Sequence, residues 1–461
     1  MKKKIQPRIY KGTRDFLPEQ MVKRNFVIDK IKIVFERFGF EPLETPTMEL
    51  WETLSGKYGE EGDRLTYRFT DRGKREVGLR YDLTVPLSRV VAMYPQIPKP
   101  FKRYQIQPVW RADKPQKGRF REFYQCDVDI VGSYSVLADA EIIAVLHESL
   151  RALGFSKFKI RLNSRKILRG ITEVSQAGLE KEADVCRAID KIDKIGAEGV
   201  EAELLKREIP RASTSLIMQF LALGGTNEEK LDQTADLLKN SSAGMEGINE
   251  MRELMKYAQL YEIPVENLLF DLTLARGLDY YTGPIFETIV EEPQIGSITG
   301  GGRYDRLIGL FSGQEQPATG SSIGLERIIT VMDELHMFPD YLKTPVQVLV
   351  TVFDSDSIAY SIKVATLLRK AGINADIYTG KSKLRGQFGL ANDKGIPLII
   401  IAGSDEIESA SVSLKDLRTG KQQTLPLNDL PETVKSLFHE HHFNGFGKRT
   451  GRKHTVVYTA G

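Results

Sequence analysis

Cysteine is nearly absent. Only Cys126 and Cys186 occur among 461 residues, and no CxxC pair is present. That excludes a disulfide framework and makes a reducing cytoplasm the expected location. No uninterrupted apolar run is long enough to span a bilayer, so no membrane integration is expected. The lysines of MKKKIQPRIYKGTRDFLP have no apolar run behind them, so the start does not read as a secretory signal. Excess charge is lacking too. Lys and Arg number 65 against 62 Asp and Glu, a formal net of +3. The stretch from His439 onward holds Lys448, Arg449, Arg452 and Lys453 against Glu440 alone, which accounts for that surplus. Polyanion binding by the rest must come from local patches. What is present, 41% hydrophobic and 28% charged residues, is the composition of a globular chain and excludes a disordered, collagen-like or coiled-coil one. The length suggests about three domains.

Periodicity then divides the chain. Val27, Ile31, Val34 and Phe38 recur at helical spacing, and Gly39 supplies a stop. Leu43–Pro46 reads as an edge strand or turn, because proline cannot donate to a sheet. From Leu65 to Val131 the pattern is mainly strand-like. A helical insertion is expected over 166–262, where aromatics thin out and Ala, Glu, Lys and Leu recur at helical periods. Strand signals resume over 263–337, with a glycine-rich turn and a strand–helix unit. Segment 343–438 alternates strands and helices and ends in a hairpin and a helix finishing near Phe438, which predicts a separate α/β domain with a mixed sheet. The tail, 439–461, is polar and expected to be poorly ordered, and it holds four of the six histidines. Its HEHH string reads as a metal binder or as a solvated tail.

The informative signal is alternation over 1–165. In GLRYDLTVPL, Arg80, Asp82 and Thr84 share one face of a strand, with Leu79, Tyr81, Leu83 and Val85 on the other. Arg103, Gln105, Gln107 and Arg111 share a face of the next, against Tyr104, Ile106 and Trp110. Phe123, Gln125, Asp127 and Asp129 share a face of a third. One reading is an antiparallel sheet with a wet face. The other is a sheet floor carrying fixed charges of both signs, suited to a zwitterion beside a polyphosphate. There Asp82 and Asp129 hold ammonium or N–H groups and Arg111 clamps a phosphate with its guanidinium fork.

Between two of these strands lies ADKPQKGRFRE, a basic loop that is a hairpin connection by itself and a candidate lid beside an arginine-bearing floor. GGGRYD, Gly300–Asp305, has neither the lysine of a P-loop nor dinucleotide spacing and reads as a tight turn. In GSSIGLERI a strand gives way to a helix at Gly324, which leaves Arg327 on the helix surface. His147 and His336 lie far from any Cys or acid cluster of ligand spacing and read as structural, so no metal site is expected. With no nucleophile or general base evident, catalysis would rest on positioning and charge stabilisation, as in phosphoryl or adenylyl transfer.

Together these segments resemble the histidyl-tRNA synthetase family of class II aminoacyl-tRNA synthetases. KGTRDFLP, LETPTMEL, VWRADKPQKGRFREFYQCDVDIVG and GSSIGLERI are similar to the family opening and the three class motifs, in order. LARGLDYYTGPIFE, Leu274–Glu287, is the most specific string, and GGGRYDRLIG follows it. The resemblance implies an α+β fold with an antiparallel-sheet catalytic core, a helical insertion and a C-terminal anticodon-binding domain. It implies a homodimer through the motif around Pro46, and ATP with Mg2+, histidine and its tRNA as ligands. Carried over, Arg111 and Arg276 meet the α-phosphate from two sides, and Arg327 faces the adenine and γ-phosphate, with Phe123 stacking opposite and Asp113 nearby. Asp82, Thr84 and Gln125 match positions holding the α-amino group; Asp129 and Tyr281 match those reading the imidazole, with Tyr304 close by. Lys114, Gln116, Lys117 and Arg119 are candidates for the tRNA acceptor end, and Lys381, Lys383 and Arg385 for the anticodon side.

Two departures from the family pattern bear on the site. Asp113 stands where many class II enzymes have glutamate, and YDLT replaces an acid-Gly-Thr pattern. The rival readings are a non-catalytic paralogue regulating ATP phosphoribosyltransferase and another class II synthetase. The first lacks the C-terminal domain, and the second does not account for RGLDYYTG.

Overall fold

The opening helix, Pro18–Arg37, buries Val27, Ile31, Val34 and Phe35 along one stripe, with Phe35 taking the place expected of Phe38. Gly39, at φ 77°, ends it in the left-handed region that glycine enters without a Cβ clash. The computed structural model describes residues 5–116, 118–275, 280–339 and 342–446. They form two units: Arg24–Met337 with the segment before Leu17, and Leu17–Lys23 with the chain from Phe338 on.

The first unit is built on β1 (Glu41–Pro42), β2 (Met48–Leu50), β3 (Arg68–Thr70), β4 (Glu76–Leu79), β5 (Phe101–Trp110), β6 (Glu122–Val131), β7 (Phe158–Ser164), β8 (Leu268–Phe270), β9 (Pro284–Val290), β10 (Thr299–Arg303) and β11 (Ala318–Gly324). Eight of these make one sheet, ordered β1-β5-β6-β11-β10-β9-β7-β8, while β2, β4 and β3 form a small antiparallel sheet. The large sheet is antiparallel except at its margins, where β1 joins β5 and β8 joins β7 in parallel. Between β7 and β8 the chain runs through six α-helices. Two of them, Arg165–Val174 and Ser242–Leu260, cross at bare backbone: a Cβ on Gly170 would lie 2.6 Å from the Gly244 Cα.

Two local expectations are corrected. The strand through GLRYDLTVPL stops at Leu79, and Thr84–Met93 is a helix. The Asp82 carboxylate accepts the Val85 N–H at 3.1 Å, and Pro86 sits in the first turn, where a missing N–H costs nothing. Helix-start chemistry had the look of alternation. GGGRYD is no tight turn either: Thr299–Arg303 is an internal strand. Its glycines are there for room. A Cβ on Gly301 would fall 2.2 Å from the Gly320 carbonyl oxygen.

The second unit carries β12 (Val348–Val350), β13 (Ala375–Ile377), β14 (Leu398–Ile401), β15 (Ser411–Asp416) and β16 (Gln422–Pro426), ordered β13-β12-β14-β15-β16. The first three are parallel and the last two antiparallel, a mixed sheet as expected. Val348, Val350, Val364, Leu368, Leu398 and Ile400 are wholly buried, each worth about 1.5–3 kcal/mol of transfer free energy. The last helix spans Leu430–Phe446, beyond the end expected near Phe438. The rest of the tail, with its basic cluster and His454, lies outside the described residues.

Candidate active site

The site grows from the pairing of β5 with β6. Their register sets Arg103 opposite Asp129, Gln105 opposite Asp127, and Gln107 opposite Gln125. These faces are not wet: Arg103 and Gln105 are 0% exposed, Asp127 3% and Asp129 2%. Charges withdrawn from water must be compensated. Arg103 Nη2 lies 2.7 Å from Asp129 Oδ2, in ion-pair contact rather than a directed hydrogen bond, and the Tyr304 hydroxyl donates to the other Asp129 oxygen. Burial raises the Asp129 carboxyl above its ordinary range, while Arg103 and Tyr304 pull it back.

On the far side of β6, Gly320 of β11 stands opposite Asp129, where a Cβ would be 1.9 Å from the carboxylate oxygen. Glycine is the residue that fits. Above this floor opens a cavity of about 430 Å3. Asp82, Thr84, Gln125, Asp129, Tyr281 and Tyr304 line it. Tyr58 donates to Asp82 Oδ1 at 3.1 Å, and the Tyr280 hydroxyl reaches Oδ2 at 3.5 Å. Burial raises the Asp82 carboxyl, against the Val85 N–H and Arg111, and raises the Tyr281 and Tyr304 phenols well above their usual range. Neutral phenols remain hydrogen-bond donors.

Arg111, Asp113, Phe123 and Arg327 line the same cavity. Arg111 donates through Nε to the Tyr81 carbonyl at 3.1 Å, with its guanidinium 4.2 Å from the Tyr81 ring centre and 5.1 Å from that of Phe123. Such a held fork can bind phosphate without first being ordered. Arg327 does not lie on the outer helix surface; it lines the cavity and donates to the Ser297 carbonyl. The basic loop closes as a hairpin, with Gln116 and Arg119 exchanging backbone bonds, and its Asp113, Gly118, Arg119 and Phe120 line the cavity. Lys114 and Gln116 are exposed and away from the cavity lining. Arg276 and Lys117 lie outside the described residues. No group of three metal-ligating side chains occurs among the described residues.

Sequence reasoning gave no role to several groups that build the site. Arg103 and Asp127 sat on the polar faces, but only the register shows that they meet. Ser322, which accepts from Gln125 Nε2 at 2.9 Å, comes from another strand. Tyr58 lies 24 residues from Asp82 and no local signal joins them.

Residues 12–328 match the family model of histidyl-tRNA synthetase and 347–437 that of the anticodon-binding domain. A histidine–tRNA ligase of Phocaeicola vulgatus is 42% identical over 454 residues, covering 94% of this chain and 99% of the relative. One of Aeropyrum pernix is 43% identical over 434 residues, covering 94% and 98%. The crystal structure of histidyl-tRNA synthetase from Nostoc sp. PCC 7120 superposes with a TM-score of 0.84 at 32% identity, covering 94% of this chain and all of that one. With a floor of paired charges, a bracketed arginine fork and matches over nearly its whole length, the chain belongs to the histidyl-tRNA synthetase family.

Proposed function

We infer that the chain is a histidine–tRNA ligase, which activates histidine with ATP and passes the histidyl group to the 3′-terminal adenosine of its tRNA. The observation that carries this is one cavity lined by buried acids and phenols together with arginines and an aromatic ring. In the first step a histidine carboxylate oxygen attacks the α-phosphorus of ATP and pyrophosphate leaves. Arg111 meets the negative charge that builds on the phosphate, and Arg276, by its place in the histidine-specific string, does so from the other side. Arg327 and Phe123 hold the nucleotide, with Asp113 at the loop's base. Asp82, Thr84 and Gln125 hold the ammonium, and Asp129, Tyr281 and Tyr304 read the imidazole. A neutral imidazole has one donor and one acceptor, so an acid and a phenol satisfy both and reject isosteres that leave them unpaired. In the second step the terminal ribose hydroxyl attacks the carbonyl carbon and AMP leaves.

Mg2+ needs only one or two carboxylates when phosphates supply the remaining oxygens. Glu287, on the cavity wall opposite Gly300 of β10, fits that requirement and would hold the ion, which would neutralise phosphate charge. In this reading 1–165 and 263–337 form the catalytic core, 166–262 is an insertion, and 343–438 serves the anticodon end of the tRNA. Lys114, Gln116, Lys117 and Arg119 serve the acceptor end. The working form is a cytoplasmic homodimer joined near Pro46, an assignment supported by Met48, Leu50 and Phe69, which are 58%, 46% and 41% exposed on the small sheet. Pyrophosphate exchange without tRNA, scanned over all amino acids, tests the inference. Exchange with histidine alone is expected, and exchange with none, from protein that still binds histidine, would point instead to a regulatory role.

A further inference from the structure

The opening string KGTRDFLP has no role in the reading above, yet its first residues pack against the basic loop that lines the cavity. They form a tight turn: the Thr13 N–H and hydroxyl both donate to the Tyr10 carbonyl, at 3.1 and 2.8 Å. Gly12 stands in this turn at φ 95°, in the region glycine enters without strain. A Cβ there would lie 2.8 Å from Pro115 Cγ and 2.9 Å from Arg121 Cγ and Cδ. Pro115 and Arg121 belong to the two arms of the loop, so the turn sits against both.

Arg121 is the joint. Its N–H donates to the Gly12 carbonyl at 2.8 Å, and its own carbonyl accepts the Arg111 N–H at 2.9 Å, so one residue links the turn to the arginine fork. Its side chain ties in the other arm: Nε donates to the Asp113 carbonyl at 3.1 Å and Nη1 to the Lys11 carbonyl at 3.0 Å. The guanidinium also lies 5.0 Å from the Tyr10 ring centre. Next in the chain, Arg14 places its guanidinium 3.3 Å from the Phe120 ring centre and 3.7 Å from Glu326, the residue before Arg327. Arg111, Asp113, Phe120 and Arg327 line the cavity, whereas Tyr10, Lys11, Gly12, Arg14 and Arg121 do not. The turn lies behind the loop and can reach a ligand only through the residues it holds.

We propose that Tyr10–Arg14 is a strap that holds the basic loop in its nucleotide-binding pose, with Gly12 and Arg121 as positioning residues for ATP. This rests on the histidine-activating reading above, which gives Arg111 and Asp113 to the nucleotide. A loop left loose must be ordered each time a ligand arrives, and apparent affinity falls with the fraction of molecules already in the binding pose. Because the strap's hydrogen bonds run to backbone groups, they fix the loop without using the side chains that face the cavity.

Two variants reach the strap from opposite sides: Gly12→Ala drives a Cβ into Pro115 and Arg121, and Arg121→Ala removes the joint. ATP and histidine are each titrated alone by calorimetry, and limited trypsin digestion reports the loop by cleavage after Arg119, a site both variants keep. In both variants ATP binding is expected to weaken about fivefold or more, the size of one lost hydrogen bond. Histidine should bind within about twofold of wild type, the tolerance for a change that touches no contact to that ligand, and this binding also shows the fold intact. Cleavage after Arg119 should quicken several-fold as the loop opens more often. Unchanged ATP binding in either variant would overturn the proposal. So would matched weakening of both ligands, or weaker ATP binding with cleavage at the wild-type rate. Wild-type protein that binds no histidine would instead sink the histidine-activating reading, while the ATP and trypsin comparisons would still read the strap.

Discussion

The two sheets of this molecule solve burial in opposite ways. In the second unit, β12 and β14 are apolar on both faces, and Val348, Val350, Leu398 and Ile400 make a dry core. In the first, the middle of β5 and most of β6 are withdrawn from water too, yet one face carries Arg103, Gln105, Gln125, Asp127 and Asp129. Apolar burial stabilises by itself. Charge burial does so only when every group meets a partner, and it otherwise costs more than it returns. A sheet that keeps charges in its interior is therefore holding them for something other than folding.

Substitutions in the two sheets should accordingly fail differently, and the largest contrast is at Arg103. Arg103→Ala strands Asp129 and Asp127 as buried carboxylates, and should cost roughly 3–5 kcal/mol in urea unfolding while also abolishing histidine-dependent exchange. A stable variant with normal exchange would break the contrast. Arg111→Ala should leave stability within error and raise the barrier to adenylate formation by about 3–4 kcal/mol, read from single-turnover exchange. Arg276→Ala should behave alike, and near-normal rates would remove its assigned role. In the other sheet, Ile400→Ala should cost about 2–4 kcal/mol in the unfolding of that unit through the cavity it leaves, with unaltered exchange kinetics in the folded protein. Replacing Lys114, Gln116 and Arg119 by alanine should raise the tRNA KM several-fold, roughly the effect of lost phosphate contacts, and spare adenylation. A matched loss in both steps would argue against a tRNA-specific loop.

The smallest effect is a slope. Asp127 is raised to about 7 in the folded protein by burial and Asp129. The folded state thus binds more protons than the unfolded one between the ordinary carboxylate range and about neutrality, and stability falls as pH rises through that window. Asp82 and Asp129 add to the same trend, so the measurement is a difference: Asp127→Asn should show a shallower decline from pH 5 to pH 8 in urea midpoints. Parallel curves would show that Asp127 is not the group titrating.

Legibility in the sequence tracked the range of the interactions. The mixed sheet around PLIIIAG was readable because burial on both faces leaves a run of apolar residues in a row. The polar face of β6 was readable from alternation, and Gln125 and Asp129 line one cavity. The pairing of Arg103 with Asp129 was not, since it depends on register between strands, which a single strand's pattern does not contain. YDLT misled because Asp-x-x-Val-Pro at a helix start happens to alternate polar with apolar. GGGRYD misled in another way: glycine was taken as turn chemistry when its use was the absence of a side chain.

That absence has a consequence for altering which amino acid the site accepts. Pockets are usually widened by trimming a side chain, but along β10 and β11 little is left to trim, since Gly300, Gly301 and Gly320 line the cavity as bare backbone and Thr299, Ser321 and Ser322 are small. Larger residues cannot be introduced at Gly301 or Gly320 without meeting the Gly320 carbonyl or Asp129. On the proposed reading, a catalyst for bulkier imidazole analogues would have to be evolved at Tyr281 and Tyr304, where volume can still be removed.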